Sequence, residues 1–337
     1  MSADPSKDTT LRRNVPPAMS VLRRRTRLRA EFVEVDGIRL RVGIRRGRGR
    51  PMLFFNGLGA NLDMVLPLVN ALDDVELIVF DVPGSGESPS LRLPRRFSSL
   101  ARLSAKLLDR LGYDEAVNVG GVAWGGALAQ QFALDFPERT NRLILAATST
   151  GMLSVPARSN VLKRLATARR YRKAKRMERA SELYGGLVRR RPELIERRGS
   201  YAAGPSTRGY INQLLAGIGW TSVHRLYRLR CPTLVMGGDD DPVMPLVNVR
   251  LLYWMIPKSY LHIVRGGGHL FLLMRANESA AVIKRFIHER RYDGTDDQDY
   301  FATRNLPGDG SLKPLTVASD DAPERVSAAP RPLPAGG

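Results

Sequence analysis

Short apolar runs alternate with longer amphipathic segments along most of the chain. Each run holds four to six residues and is bounded by turn residues, which is typical of strands buried on both faces. These runs lie at 52–55, 77–80, 116–120, 142–147, 232–236 and 260–264. The intervening segment 97–111 places leucines at helical spacing. Because strands that alternate with helices form parallel sheets covered on both faces, the pattern predicts an α/β fold.

Two features depart from this alternation. Residues 31–35 and 38–44 each alternate apolar with polar positions around Asp36-Gly37, a strong turn signal, and therefore predict a β-hairpin. Residues 151–230 are basic, rich in helix formers and tyrosine, and interrupt the strand pattern. We interpret this insert as a helical cap between two strands of the sheet, where it excludes water and shapes a pocket.

The periodicity thus divides the chain into a core, an insert and two tails. The tails lack any period and are rich in residues that disfavour a packed core, so they are expected to be disordered. The predicted parts are a basic arm at 1–30, the first part of the core at 31–150, the cap at 151–230, the second part of the core at 231–291, and a tail at 292–337.

Charge adds a second layer to this picture. The net charge is +20; residues 154–230 hold 19 basic and 4 acidic side chains, and residues 1–50 hold 14 and 5. Such a distribution predicts attraction to an anionic surface, whether nucleic acid, lipid head groups or a coated particle, with solubility alone as the alternative. The basic stretches carry no recognition helix or aromatic ladder, so nucleic acid is the partner that we expect least.

Composition also bounds the cellular context. The single cysteine, Cys231, allows no intrachain disulfide and fits a reducing compartment. We expect neither a membrane-spanning helix nor a secretory signal, because no apolar run reaches 18 residues and none follows the basic residues of the arm. These observations favour a cytoplasmic protein.

Candidate chemistry centres on the glycines after the strand at 116–120. Gly121-x-Ala123-x-Gly125 joins that strand to a helix and has the shape of a nucleophile elbow, G-x-S-x-G. The turn is too tight for side chains at its glycines, and its central residue is normally strained and exposed. Here the nucleophile position is Ala123, whose methyl group cannot attack a carbonyl or accept a proton. Taken alone, two glycines at this spacing are most often ordinary loop glycines, and the rest of the chain decides against that interpretation.

One further loop would complete an oxyanion hole with this elbow. Residues 56–61 follow the strand at 52–55 and read Asn-Gly-Leu-Gly-Ala-Asn, at the place where α/β hydrolases usually carry His-Gly-x-Gly. The backbone N–H groups of Leu58 and Trp124 are the predicted donors.

An acid and a base follow late in the chain. Asp241 lies after the strand at 232–236 and before a proline, with Asp239 and Asp240 as rivals for the same role. His269 follows three glycines that would let its loop project the imidazole over the elbow. The order of elbow, Asp241 and His269 matches the order Ser, Asp, His of α/β hydrolases.

These motifs together make a specific match. Over roughly residues 31–291 the sequence resembles the intracellular medium-chain-length poly(3-hydroxyalkanoate) depolymerases, within the α/β-hydrolase superfamily. The resemblance is carried by the motifs at 55–61, 80–84, 124–132, 219–222, 238–242 and 268–272. It implies an α/β-hydrolase fold with a mostly parallel sheet, helices on both faces and an inserted helical cap.

The resemblance also implies a chemistry. Members of this family hydrolyse the ester bonds of a stored hydrophobic polyester with a Ser-Asp-His triad, so Asp241 and His269 would be acid and base. No metal or cofactor is expected, and the basic cap would face a granule or membrane surface. Ala123 departs from the family's serine.

That departure leaves three hypotheses about function. The first is a carboxylic ester hydrolase, although loss of a triad nucleophile removes about 10⁶ in kcat. The second is a pseudoenzyme that binds polymer or granule. The third is an enzyme without a covalent intermediate, in which a His269–Asp241 dyad acts as general base.

Overall fold

The structure is a computed structural model that describes residues 28–157, 159–165, 182–194, 205–288 and 302–303. The predicted basic arm, apart from its last residues, and most of the predicted tail lie outside the described residues, as does much of the cap between 166 and 204. Within the described ranges, no helix is long and apolar enough to cross a membrane.

A single twisted sheet organises the described residues. Its strands are β1 (Arg29–Val35), β2 (Ile38–Arg45), β3 (Arg48–Phe55), β4 (Val75–Phe80), β5 (Val117–Val122), β6 (Thr140–Ala146), β7 (Thr233–Gly238), β8 (Ser259–Val264) and β9 (Ala302–Thr303). Their order across the sheet is β1-β2-β4-β3-β5-β6-β7-β8-β9. Pairs from β4 to β8 are parallel, whereas β1, β2 and β9 pair antiparallel with their neighbours. This is the mostly parallel sheet that the sequence predicts.

The predicted hairpin is present. Val35 pairs with Ile38, so the loop holds only Asp36 and Gly37, whose φ angles are 51° and 73°. Positive φ at both positions is what a type I′ turn requires, and such turns match the twist of the flanking strands.

Helices cover both faces of the sheet. They are α1 (Leu66–Ala71), α2 (Phe97–Arg110), α3 (Trp124–Asp135), α4 (Ser159–Leu165), α5 (Gly186–Arg190), α6 (Thr207–Gly217), α7 (Leu246–Met255), α8 (Phe271–Met274) and α9 (Ala276–His288). Short 3₁₀ segments lie at Leu62–Val65, Pro137–Arg139 and Val223–Arg228.

Strand residues alternate between two buried clusters. In β3, Leu53 and Phe55 pack with α2 and α3, while Met52 and Phe54 pack on the opposite face with α1 and α9. Because side chains alternate along a strand, both faces must be apolar when both are covered, and this explains the continuous apolar runs in the sequence.

The cap segments lie at the carboxyl ends of the parallel strands. Helix α6 contacts the loop after β4 so closely that a Cβ on Gly84 would lie 2.3 Å from the Cα of Gly209. A backbone-to-backbone contact of this kind requires glycine on both sides and fixes this part of the cap to the core.

Strand β9 lies in the segment that the sequence pattern places in a tail without strands. It pairs with Tyr260 and Leu261 of β8. Without β9 this edge of β8 would lack a neighbouring strand, and an extended segment can pair with it without an apolar period of its own.

Candidate active site

The turn between β5 and α3 holds Ala123 in a strained conformation. Its φ is 52° and its ψ is −116°, a region that L residues rarely adopt. Its N–H donates to the carbonyl of Ala146 at 2.9 Å, and its carbonyl accepts from the Thr148 hydroxyl at 2.8 Å. Neighbouring β6 and the residues after it therefore hold the elbow in place from both sides of the peptide.

Both elbow glycines are required by close backbone contacts. A Cβ on Gly121 would lie 2.2 Å from the carbonyl oxygen of Gly125, and a Cβ on Gly125 would lie 2.2 Å from that of Phe55. Neither carbonyl can move without displacing a helix or a strand. The geometry agrees with the tight turn that the motif predicts.

The loop after β3 lies beside this elbow. A Cβ on Gly57 would lie 3.9 Å from the methyl group of Ala123, so the loop that carries Leu58 borders the nucleophile position. Asn56, at the usual histidine position, is buried and donates its amide to the carbonyl of Asn61 at 3.0 Å. Asn56 therefore closes the loop on itself. Trp124, the other predicted donor, begins α3.

Asp241 and His269 form a buried hydrogen-bonded pair. Asp241 Oδ2 lies 2.8 Å from His269 Nδ1, and the Asp241 carboxylate is almost fully buried. The other oxygen, Oδ1, accepts the N–H groups of Val243 and Met244, each at 2.9 Å. A carboxylate held by these bonds keeps the imidazole in one orientation, as in hydrolase triads.

The two rival carboxylates face elsewhere. Asp239 Oδ1 accepts the N–H of Gly266 at 2.6 Å. Asp240 Oδ2 accepts the N–H of Gly186 at 2.7 Å, and its Oδ1 lies 2.8 Å from a guanidinium nitrogen of Arg189. Of the three consecutive aspartates, Asp241 is the one bonded to His269.

A further buried carboxylate supports the loops around the elbow. Asp81 is fully buried and accepts the N–H groups of Leu62 at 2.6 Å and Glu87 at 3.2 Å. Burial raises the pKa of its carboxyl to about 6, although these bonds and the nearby Arg41 oppose the shift. Asp81 thereby ties the loop after β3 to the loop after β4.

Two cap residues contact the elbow region, a role that the sequence pattern does not assign to them. The first, Gln213, accepts the N–H of Gly59 at 2.8 Å and donates to the Ser85 hydroxyl at 2.7 Å, and its backbone carbonyl accepts the Trp124 indole N–H at 2.8 Å. It therefore joins the oxyanion loop, the loop after β4 and the elbow helix.

Trp220 is the second of these cap residues, and it is hydrogen-bonded to the second half of α3. Its indole N–H donates to Gln131 Oε1 at 2.7 Å, while Ser222 donates to Gln130 Oε1 at 2.7 Å. The motif at 219–222 and the paired glutamines of the elbow helix are thus two halves of one contact. In the sequence, the presence of both motifs is the one sign of this contact.

The remaining histidines take no part in this site. His262 is buried in β8, and desolvation lowers its pKa to about 4, so its imidazole is neutral at physiological pH. His224 and His288 are exposed. In the described part of the chain, no three His, Cys, Asp or Glu side chains converge in a way that could hold a metal ion.

Comparison with known proteins identifies a matching family model and a similar sequence. A family model of the α/β hydrolase fold matches residues 50–276. A poly(3-hydroxyalkanoate) depolymerase from Ectopseudomonas oleovorans is 49% identical over 263 residues, covering 77% of this chain and 92% of that protein.

Solved structures agree on the fold. A malate-bound thermophilic esterase from Thermogutta terrifontis superposes with a TM-score of 0.66 at 24% identity, covering 77% of this chain and 98% of that one. The enol-lactonase from Burkholderia xenovorans LB400 gives a TM-score of 0.65 at 20% identity, with coverages of 77% and 100%.

Proposed function

The chain belongs to the α/β-hydrolase family and, within it, to the poly(3-hydroxyalkanoate) depolymerases, and from that premise we propose that its site is a carboxylic ester site for a medium-chain polyester. We further propose that the site binds an ester but forms no covalent intermediate, because Ala123 lacks a nucleophile. One observation carries the proposal: a strained elbow and a bonded Asp241–His269 pair are both built, while a methyl group occupies the nucleophile position.

Each part of the site has a role in this proposal. The ester carbonyl lies over Ala123, and the N–H groups of Leu58 and Trp124 donate to its oxygen. His269 pairs with Asp241 through Nδ1, which leaves Nε2 for proton transfer toward the ester. With no hydroxyl at position 123, no acyl-enzyme forms, and the protein binds ester bonds without cleaving them by the serine route.

The backbone conformation of the elbow supports the proposal that this is still a functional binding site. A turn that serves only to connect a strand to a helix has no need of a residue at φ 52° and ψ −116°. Strain of this kind costs on the order of 1–3 kcal/mol and persists at functional sites because the surroundings enforce it. The contacts of Gly121, Gly125 and Thr148 provide that enforcement here.

A second candidate function rests on the same pair. His269 oriented by Asp241 is a competent general base, so it could activate a water molecule directly on the bound ester. This route requires no residue at position 123. It predicts slow hydrolysis that disappears in His269→Ala, without any burst of released alcohol.

We also propose that the exposed surface of the cap binds a coated hydrophobic particle. Met152, Leu153 and Ile218 are 64%, 62% and 69% exposed. Met152 and the segment after Ile218 are joined, because Gly219 donates its N–H to Met152 Sδ and the Met152 N–H donates to the carbonyl of Trp220. Ile218 lies within residues 154–230, and Met152 and Leu153 directly precede them; the basic excess of that range would attract an anionic surface.

A binding experiment tests the ester site directly. We expect a soluble trimer of 3-hydroxyoctanoate to bind the protein in calorimetry and to remain intact. Gly57→Val should abolish this binding, because its side chain would grow into the space beside Ala123, where a Cβ would have no heavy-atom neighbour closer than 3.7 Å. Gly217→Val is the matched control, since a Cβ there meets nothing within 4 Å.

The outcomes separate the alternatives. Binding by the unchanged protein and by Gly217→Val, but not by Gly57→Val, supports the ester site. Absence of binding in all three proteins contradicts it. Cleavage of the trimer that is lost in His269→Ala favours the water-activating dyad over the proposal.

A further inference from the structure

The cap reaches the Asp241–His269 pair through a short glycine-rich segment. The carbonyl oxygen of Tyr184 accepts the backbone N–H of His269 at 2.7 Å. The Tyr184 ring lies nearly parallel to the imidazole, at 10° and a centroid distance of 6.5 Å. The cap therefore contacts the base both along the backbone and across its ring.

Three loops meet at this point with their backbones in direct contact. A Cβ on Gly185 would lie 2.0 Å from the carbonyl oxygen of Asp240, and a Cβ on Gly186 would lie 2.3 Å from the nitrogen of Gly268. Both cap glycines have positive φ, 61° and 54°. The sequence Tyr-Gly-Gly is thus shaped to fit between the aspartate loop and the histidine loop.

Asp240 bonds to both of the other segments at this junction, through its side chain and through its backbone. Asp240 accepts the Gly186 N–H through Oδ2 and the Arg189 guanidinium through Oδ1, at 2.7 and 2.8 Å. Its own N–H donates to the carbonyl of Gly267 at 2.9 Å, within the histidine loop. Asp240 is therefore bonded to the cap on one side and to the loop of the base on the other.

We propose that Asp240 is a positioning residue, which clamps the Tyr184–Arg189 segment of the cap against His269 and so fixes the imidazole for proton transfer. The contacts of this clamp do not involve position 123. Only its expected effect on catalysis rests on the proposed function. Its carboxylate acts through Gly186 and Tyr184 and does not touch the substrate.

Hydrogen exchange tests the clamp in the protein as it stands. The His269 amide donates to Tyr184, so its exchange rate reports how often this contact opens. We expect Asp240→Ala to raise exchange in the peptide 266–270 by at least about tenfold, and Asp240→Asn to raise it less, because one oxygen remains for Gly186. Peptides from β5 and β6 should keep their rates.

Two further variants sharpen the measurement. Arg189→Gln removes only the guanidinium contact from a side chain that is 54% exposed, so it should fold normally and give a smaller increase in the same peptide. Asp109→Ala is the matched control: it removes another carboxylate–arginine pair, 2.7 Å long, far from the cap. It should leave peptide 266–270 unchanged. Unchanged exchange in Asp240→Ala, or equally faster exchange throughout the sheet, overturns the proposal.

Kinetics provide the second readout, in protein that carries Ala123→Ser. There Asp240→Ala should lower kcat for p-nitrophenyl acetate about 10- to 100-fold, because small displacements of a catalytic base are costly, and should leave KM unchanged. A raised KM with an unchanged kcat would contradict a positioning role. If Ala123→Ser is itself inert, the proposed function fails, and the exchange experiment still decides the clamp.

Discussion

Removing the side chain at the elbow should make the protein more stable, which is unusual for an alanine-to-glycine change. In Ala123→Gly, relief of the backbone strain contributes about 2 kcal/mol, the middle of the usual range. The greater freedom of glycine in the unfolded chain costs about 0.7 kcal/mol. Loss of a half-buried methyl group costs a further few tenths, since a fully buried one is worth about 0.8 kcal/mol. The net gain is about 1 kcal/mol.

Thermal unfolding is the assay for this change. A gain of about 1 kcal/mol should raise Tm by about 1.5 °C, because the entropy of unfolding is about 2.1 cal/mol/K per residue and the chain has 337 residues. Ala127→Gly, within α3, is the control and should lower Tm, because glycine in a helix costs about 1 kcal/mol relative to alanine. If both changes lower Tm equally, position 123 is unstrained, and the elbow is not enforced by its surroundings.

Three other predictions concern the surroundings of the site. Gly125→Ala should destabilise the protein by about 3 kcal/mol or more, because the new Cβ would lie 2.2 Å from the carbonyl oxygen of Phe55; an unchanged Tm would contradict this contact. Burial raises the Asp81 pKa from 3.8 to about 6, so the folded state holds a proton that the unfolded state releases. Stability should therefore fall as pH rises from about 4 to 6, by at most roughly 3 kcal/mol, and Asp81→Asn should flatten this slope in urea melts; an equal slope in both proteins argues against the shift. Trp220→Phe should cost about 1 kcal/mol by removing the bond to Gln131 while keeping the aromatic packing, and a Tm equal to that of the parent protein would show that the bond contributes nothing.

Much of the core could be predicted from the sequence because its signals are local. A few adjacent residues are enough to specify each of these features: the strand periodicity, the Asp36-Gly37 turn and the elbow glycines. The choice of Asp241 over its neighbours agrees with the bond to His269. Position and resemblance favour Asp241 in the sequence, whereas the physical distinction in the structure is the direction of each carboxylate.

The cap contacts could not be predicted in the same way. Gln213 and Gly59 are 154 residues apart, and Gly186 and Asp240 are 54 apart. Nothing in their local sequence specifies these partners, because a lone Gln or Gly is compatible with any exposed loop. The catalytic roles of Asp241, His269, Leu58 and Trp124 and the position of the protein in the cell stay predictions.

Restoring a serine at position 123 tests the central claim, that the site lacks only its nucleophile. The rate of p-nitrophenyl octanoate hydrolysis by Ala123→Ser is the measurement, with the unchanged protein and Ala123→Ser/His269→Ala as references. We predict a rise of several orders of magnitude, up to about 10⁶ in kcat, with a burst of p-nitrophenol that His269→Ala abolishes. A folded Ala123→Ser protein that hydrolyses no faster than the unchanged chain would contradict the claim.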